Sequence, residues 1–311
     1  MGATDEARAF NADLEERLRA LPMPWTATIE QVRAARRAGK GVFPVPELLD
    51  HARWHEIEGR DGPLKLRLIE PQTRAATGAY LHIHGGGWTL GTADEQDTRL
   101  GVLAEANGLV VVSVEYRLGP EHPHPAGPDD CEDAARWLLD GGAGELGAPE
   151  RYAIGGESAG GHLSALTLLR LRDRGIGGFA AANLVFGAFD LSLTPSARAW
   201  GDRYLVLSTP IIDWFGDQYL PGVTPEDRRD PAISPLYADL TGLPPALFTV
   251  GTEDPLLDDS LFMAARWARA GNAAELDVID EAIHAFNYFD LEIARRSEAR
   301  QAAFLTEALG L

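Results

Sequence analysis

Apolar and polar positions follow two different rhythms along the chain. Near its start, residues 5–21 place Phe10, Leu14 and Leu18 at helical spacing, and Thr28 to Gln31 form a typical capped helix start. Further on, short apolar runs alternate with helix-length segments such as 129–140, 158–173 and 257–270. This alternation predicts an α/β fold, in which a mostly parallel sheet carries helices on both faces. The predicted strands are 64–69, 79–84, 109–114, 152–155, 183–186, 246–250 and 276–279.

Residues 187–235 interrupt this alternation, because prolines and aromatic residues replace the regular apolar runs. We interpret the segment as an insertion that buries its aromatic residues against other elements, with the N-terminal helices joining it as a cap. The alternative is an irregular excursion with a small cluster of its own. The predicted organisation is therefore a cap segment at 1–50, a core at 51–186 and 236–311, and a cap insertion at 187–235.

Composition excludes several classes of partner. The 47 acidic and 28 basic side chains give a formal charge of −19, which argues against nucleic acid and against anionic membrane surfaces. The one cysteine, Cys131, excludes an internal disulfide and fits a reducing compartment. No secretory signal or membrane-length apolar run is visible, so we expect a cytoplasmic location and no membrane contact. A homo-oligomer is compatible with the sequence.

Ser158 is the candidate nucleophile. It lies at the centre of a G-x-S-x-G pattern, Gly156 to Gly160, between a predicted strand and a predicted helix. A sharp strand-to-helix turn would expose the serine hydroxyl, and the small flanking residues permit that turn. The amide of Ala159 would then point at an oxyanion formed beside the serine. The structural alternative is a small-residue turn that only packs a helix on the sheet.

A glycine-rich loop follows the predicted strand 79–84. Consecutive glycines let backbone amides approach a ligand closely, and we choose Gly86 and Gly87 as the other oxyanion donors. Phosphate binding is the competing interpretation of such a loop. Neither G-x-G-x-x-G nor G-x-x-x-x-G-K-[ST] is present, which argues against it.

Chain order selects the rest of a triad, because a serine on such a turn is followed by its acid and then by its histidine. His284 is the only histidine beyond the helix that carries the serine, so it is the candidate base. Asp254 follows the predicted strand 246–250 and is the candidate acid. Glu253 and Asp258 are its rivals, although Asp258 is expected to cap the next helix.

Two H-x-H pairs raise the question of a metal site. The first is His82 and His84, and the second is His122 and His124. Alternate strand residues share a face, so either pair could supply ligands. We instead expect His84 to support the glycine loop and the second pair to lie in a rigid turn. No metal and no cofactor are expected.

Together these motifs resemble the hormone-sensitive-lipase-like family of bacterial esterases. The resemblance implies an α/β-hydrolase fold with a helical cap, a triad of Ser158, Asp254 and His284, and oxyanion donors at Gly86, Gly87 and Ala159. The chain departs from the usual family pattern at Gly119, at Ala285 and at residues 280–281, none of which is a catalytic group. The matching segments are 84–88, 116–125, 156–161, 254–256 and 284–286.

The expected activity is hydrolysis of short- to medium-chain carboxylic esters through an acyl-enzyme. An amidase or a lactonase could use the same triad, because the sequence does not specify the leaving group. The alternative from another class is a binding protein, since the related plant gibberellin receptors keep the fold and lack the triad histidine. Candidate substrate contacts are Trp88, Phe189, Trp214, Phe215, Ile283 and Phe286.

Overall fold

The computed structural model describes residues 2–311, which build one eight-stranded sheet in the order β1-β2-β4-β3-β5-β6-β7-β8. The β1–β2 and β2–β4 pairs are antiparallel, and the pairs from β4 through β3 to β8 are parallel. This topology confirms the predicted mostly parallel sheet. The strands are β1 Arg53–Gly59, β2 Gly62–Ile69, β3 Gly78–Ile83, β4 Leu109–Val114, β5 Tyr152–Glu157, β6 Phe179–Val185, β7 Ala246–Glu253 and β8 Ala274–Ile283.

Burial on both faces explains the success of several strand predictions. Every residue of β3, β4 and β5 is buried, so these strands appear in the sequence as predominantly apolar runs. The prediction missed β1, which lies at the edge of the sheet and buries only Ile57. Its sequence consists largely of charged and polar residues, which gives no apolar run to detect.

Helices cover both faces of the sheet, as predicted. On one face, side chains of α4, α6 and α9 join the largest apolar cluster, with Leu163 and Trp267 among its fully buried members. On the other face, α3 and α10 pack against the sheet through residues such as Leu100 and Phe304. The helices are α1 Ala3–Arg19, α2 Ile29–Arg37, α3 Asp97–Asn107, α4 Ala126–Trp137, α5 Ala143–Glu145, α6 Ala159–Asp173, α7 Pro195–Ala199, α8 Thr209–Tyr219, α9 Leu257–Arg269 and α10 Glu292–Leu309.

The N-terminal helices and the segment after β6 pack near the carboxyl ends of the strands. Leu14 and Leu18 of α1 share an apolar cluster with Val185, at the end of β6, and with Leu205 from the 187–235 segment. That segment contains α7 and α8, and Tyr219 of α8 belongs to the main core cluster rather than to a separate one. Within residues 2–311, no helix is both long enough and apolar enough to cross a membrane.

Candidate active site

Ser158 lies on the turn between β5 and α6 with φ 57° and ψ −118°, a backbone conformation that residues other than glycine rarely adopt. Its amide donates to the carbonyl of Val185 at 2.9 Å, which ties the turn to the neighbouring strand β6. A Cβ atom at Gly156 would lie 2.0 Å from the carbonyl oxygen of Ile83, and one at Gly160 would lie 1.8 Å from it. The two flanking glycines are therefore required by close backbone contact, as the sequence pattern indicated.

His284 connects Ser158 to Asp254. Its Nε2 lies 2.9 Å from Oγ of Ser158, and its Nδ1 lies 2.8 Å from Oδ2 of Asp254. With the proton on Nδ1 donated to the carboxylate, Nε2 is free to accept the serine proton. Asp254 is 1% exposed and His284 is 4% exposed. The structure thus brings together the three residues that chain order selected.

The two rival carboxylates have other partners. Glu253 is paired with Arg203 at 2.5 Å. Asp258 accepts the backbone amide of Ser196 at 2.8 Å, so it connects α9 to α7. The expectation that Asp258 caps the following helix is therefore corrected, because α9 begins without a side-chain cap. Its carboxylate is occupied by an amide of the segment inserted after β6.

The glycine loop after β3 has an unusual backbone. Gly86 and Gly87 have φ values of 119° and 59°, which glycine adopts without strain. Ala159 is the first residue of α6, so its amide has no partner within the helix. The three predicted oxyanion donors thus belong to two backbone segments, the loop after β3 and the first turn of α6. Gly86 and Gly87 line the cavity that contains Ser158, and Ala159 directly follows that serine.

His84 supports the glycine loop, as expected. Its Nδ1 donates to the carbonyl of Gly85 at 2.8 Å, and its ring stacks on Tyr116 with a centroid distance of 4.2 Å. The hydroxyl of Tyr116 donates to the backbone carbonyl of His84 at 2.9 Å. Burial lowers the pKa of His84 to about 4, so the ring is neutral at pH 7. Across residues 2–311, no three His, Cys, Asp or Glu side chains are grouped to hold a metal ion.

Glu157, directly before the nucleophile, is the centre of a buried polar network that the sequence analysis missed. Its carboxylate contacts the guanidinium of Arg99 and accepts from His82 Nε2 and Gln96 Nε2, both at 3.0 Å. Burial opposes ionisation, but Arg99 and His82 outweigh it and hold the pKa of Glu157 well below its usual range. The acidic residue of the motif was visible in the sequence, whereas no pattern indicated its distant partner Arg99.

A cavity of about 280 Å³ opens over Ser158 and His284. Its walls come from the catalytic loops, from residues 18–43 and from residues 204–215, and their side chains are mostly apolar. Arg36 also lines it, and its charge is paired with Glu95 at 2.8 Å. Much of the wall therefore comes from the N-terminal segment, which was predicted to belong to the cap, although none of its residues was predicted as a substrate contact. Among its apolar members are Leu21, Met23, Val32, Phe43, Ile211 and Phe215.

Of the six predicted substrate contacts, only Phe215 lies on the cavity wall. The others pack elsewhere, and the expectation is revised accordingly. Phe189 packs edge-on against Phe248, with a centroid distance of 6.0 Å, and Trp214 packs beside Phe215 at 5.0 Å. The remaining three are buried and do not line the cavity. They are Trp88, Ile283 and Phe286.

Comparisons with known proteins agree with this architecture. A family model described as an alpha/beta hydrolase fold matches residues 80–288. The carboxylesterase NlhH of Mycobacterium tuberculosis is 36% identical over 303 residues, which cover 93% of this chain and 92% of that protein. An ethyl acetate hydrolase of Pseudomonas putida is 35% identical over 235 residues, 73% of each chain.

The solved structures point in the same direction. A hyperthermophilic esterase of Pyrobaculum calidifontis superposes with a TM-score of 0.85 at 33% identity, covering 95% of this chain and 98% of that one. A hormone-sensitive lipase from a metagenome library superposes with a TM-score of 0.84 at 28% identity, covering 97% and 98%. The chain therefore belongs to the hormone-sensitive-lipase-like family of the α/β-hydrolase fold.

Proposed function

We propose that this chain is a serine carboxylesterase in which Ser158, His284 and Asp254 form the catalytic triad. The observation that carries the proposal is the position of His284, 2.9 Å from the serine hydroxyl and 2.8 Å from the Asp254 carboxylate. This arrangement lies on the floor of a mostly apolar cavity. Relatives named as a carboxylesterase and an ethyl acetate hydrolase support the same reaction class.

The reaction has two steps. Nε2 of His284 takes the hydroxyl proton while Oγ of Ser158 attacks the ester carbonyl, and the resulting oxyanion accepts hydrogen bonds from the amides of Gly86, Gly87 and Ala159. The carbon–oxygen bond to the alcohol then breaks, and His284 returns the proton to the departing alcohol. In the second step His284 takes a proton from water as the water attacks the acyl carbon, and the same amides stabilise the oxyanion. The bond from that carbon to Oγ of Ser158 then breaks, His284 returns the proton to Oγ, and the carboxylic acid leaves.

The cavity suggests which esters fit. Its volume of about 280 Å³ and its apolar walls favour short- to medium-chain substrates over long-chain triglycerides. Residues 1–50 and 187–235 act together as the cap in this proposal, because both contribute to the cavity wall beside the core residues Ser158 and His284. Among the predicted substrate contacts, Phe215 lines the cavity and therefore remains the candidate in this proposal.

The test compares p-nitrophenyl esters from acetate to palmitate. We expect a higher kcat/KM for butyrate than for palmitate, and loss of hydrolysis in Ser158→Ala. Ser297→Ala is the matched control, because Ser297 is a buried serine on α10, away from the cavity. Hydrolysis that survives Ser158→Ala would contradict the triad, and a preference for palmitate would contradict the size of the acyl pocket.

Two alternatives use the same fold. An amidase or lactonase would share the triad, and hydrolysis of anilides at rates near those of matched esters would favour it. A binding protein would leave the serine unreactive, and failure of the folded chain to react with a fluorophosphonate would favour that function. The triad hydrogen bonds support catalysis over binding.

Location and assembly complete the proposal. Cys131 is free and buried, which fits the reducing environment of a cytoplasmic protein. Fractionation of expressing cells tests the cytoplasmic location. The proposal also includes a homo-oligomer, and light scattering of the purified chain measures the molar mass that tests it.

A further inference from the structure

The glycine loop contains a bulky residue in a conformation that normally requires glycine. Gly86, Gly87 and Trp88 have successive positive φ values of 119°, 59° and 58°. A tryptophan keeps such a backbone only when the surrounding structure determines it. The contacts of Trp88 therefore control the loop that carries two of the proposed oxyanion donors.

The first contact runs from Trp88 to the nucleophile helix. The indole Nε1–H donates to Nδ1 of His162 at 3.0 Å. Because an indole nitrogen can only donate, Nδ1 of His162 accepts, and the ring proton sits on Nε2. That proton is donated to the carbonyl of Ile233 at 2.7 Å. His162 is fully buried and uses both ring nitrogens, and its burial lowers its pKa to about 3, so it is neutral.

The second contact comes from α8. Phe215 and Tyr219 are four residues apart and share one face of this helix. Tyr219 stacks on Trp88, with a centroid distance of 4.8 Å and an interplanar angle of 11°. A Cβ atom at Gly87 would lie 2.3 Å from the Phe215 ring, so that ring rests directly on the glycine. The loop is thus held between α6 and α8.

Resting on the proposed function, we infer that His162 is a positioning residue for the oxyanion hole. Ala159 and His162 lie one turn apart on α6, so the hydrogen bond to Trp88 couples the donor on the helix to Gly86 and Gly87 on the loop. The two halves of the hole belong to separate segments of the chain. In this inference His162 fixes the position of the Gly86 and Gly87 amides relative to the Ala159 amide, so that all three can donate when the carbonyl oxygen becomes an oxyanion.

A merely structural histidine would affect stability and not the transition state, and the two roles are separable. His162→Leu removes both of its hydrogen bonds, and His162→Asn places an amide oxygen near the position of Nδ1, where Trp88 can still donate. Trp88→Phe removes the donor and keeps a ring against Tyr219. Thr167→Val is the control, because this buried residue of α6 donates only within its own helix, to the carbonyl of Leu163 at 2.8 Å.

The experiment measures kcat and KM on p-nitrophenyl butyrate, inhibition by a trifluoromethyl ketone that forms a tetrahedral adduct, and the melting temperature. We expect kcat to fall by about tenfold or more in His162→Leu and Trp88→Phe, less than the roughly 10²–10³-fold for removing a donor outright. KM should change by less than about threefold, since substrate binding precedes the oxyanion. The inhibition constant should rise in parallel with the loss of kcat/KM.

His162→Asn should recover most of the lost kcat, and the double variant of Trp88→Phe with His162→Leu should be no slower than the worse single variant. Wild-type kcat in both single variants, or independent losses that multiply in the double variant, would overturn the inference. If His162→Leu does not fold, Trp88→Phe and His162→Asn decide the question by the same measurements. Failure of the proposed function differs from these outcomes, because it appears as activity that survives Ser158→Ala.

Discussion

The carboxylate of Asp254 lies 2.8 Å from Nδ1 of His284 through one oxygen, and its other oxygen accepts the amide of Leu256, also at 2.8 Å. The hydrogen bond from the amide of Leu256 fixes the plane of the carboxylate. The carboxylate can therefore fix the orientation of the His284 imidazole. Asp254 is 1% exposed, so water does not compete for either oxygen. The acid is held before substrate arrives.

Replacing Asp254 by asparagine should show whether its charge, rather than its shape, is required for catalysis. Asp254→Asn keeps the shape of the side chain but favours the imidazole tautomer with its proton on Nε2, where it cannot accept from Ser158. We expect kcat to fall by about 10⁴-fold. Glu253→Gln, which alters the adjacent carboxylate that pairs with Arg203, should leave kcat within about threefold of wild type. Equal losses in the two variants would contradict the assignment of Asp254.

Glu157 should contribute to stability in a pH-dependent way. Glu157→Gln leaves Arg99 without its carboxylate, and removing one partner of a buried ion pair costs about 3–5 kcal/mol. Since the folded-state pKa of Glu157 lies below its unfolded value, its contribution is present at pH 7 and is lost as the pH falls below about 4.

Urea unfolding of wild type and Glu157→Gln at pH 7 and pH 4 measures that contribution. The difference in unfolding free energy should shrink at the lower pH. Glu58→Gln, which changes an exposed carboxylate on β1, is the control and should show little difference at either pH. A difference that grows on acidification would show that the network does not hold Glu157 ionised.

The contribution of Asp259 to stability should have the opposite pH dependence. This fully buried carboxyl group accepts from the amides of Phe189 and Asp190 and from the hydroxyl of Thr194, and burial raises its pKa to about 7. Its folded-state pKa exceeds the unfolded value, so its contribution is complete below about pH 4 and is lost as the pH rises through 7.

Asp259→Asn removes this titration and keeps the shape of the side chain. From pH 4 to pH 7 wild type should lose up to about 1.4 kcal/mol per pH unit relative to the variant. Unfolding free energies at pH 4, 5.5, 7 and 8.5 check the trend. If the difference in unfolding free energy between wild type and Asp259→Asn stays constant over this range, the carboxyl group does not titrate there.

Arg33 on α2 connects the N-terminal segment to the glycine loop. Its Nε donates to the carbonyl of Thr89 at 2.9 Å, its Nη2 donates to that of Gly119 at 2.8 Å, and its charge pairs with Glu121. Arg33→Lys replaces this planar fork with a single ammonium and should destabilise the fold by about 1–3 kcal/mol. Arg37→Lys, at an exposed position of the same helix, should change it by less than about 0.5 kcal/mol. Thermal unfolding of both variants measures the difference.

The sequence was most informative where one backbone constraint permits few residue types. The close approach of Gly156 and Gly160 to Ile83 leaves no room for a side chain, so the nucleophile turn is visible as a motif. Chain order then left His284 as the one eligible base. Strand β4 was equally clear, because burial on both faces favours a mostly apolar run, which in β4 is interrupted only by Ser113.

The cavity wall was not predictable in the same way. Met23 and Phe43 are ordinary apolar residues, and only the tertiary folding of the N-terminal segment brings them to the cavity that contains Ser158. Trp88 was predicted as a substrate contact. Its indole instead bonds His162, a partner 74 positions away that no local pattern reveals.

The central claim is that Ser158 is a nucleophile activated by His284, and covalent labelling tests it most directly. Incubation of the folded chain with a fluorophosphonate, followed by intact-mass and peptide analysis, should show one adduct, located on Ser158. Ser158→Ala should remain unlabelled, and His284→Ala should be labelled far more slowly than wild type. A folded wild-type chain that acquires no adduct, or a Ser158→Ala variant labelled as fast as wild type, would contradict the account.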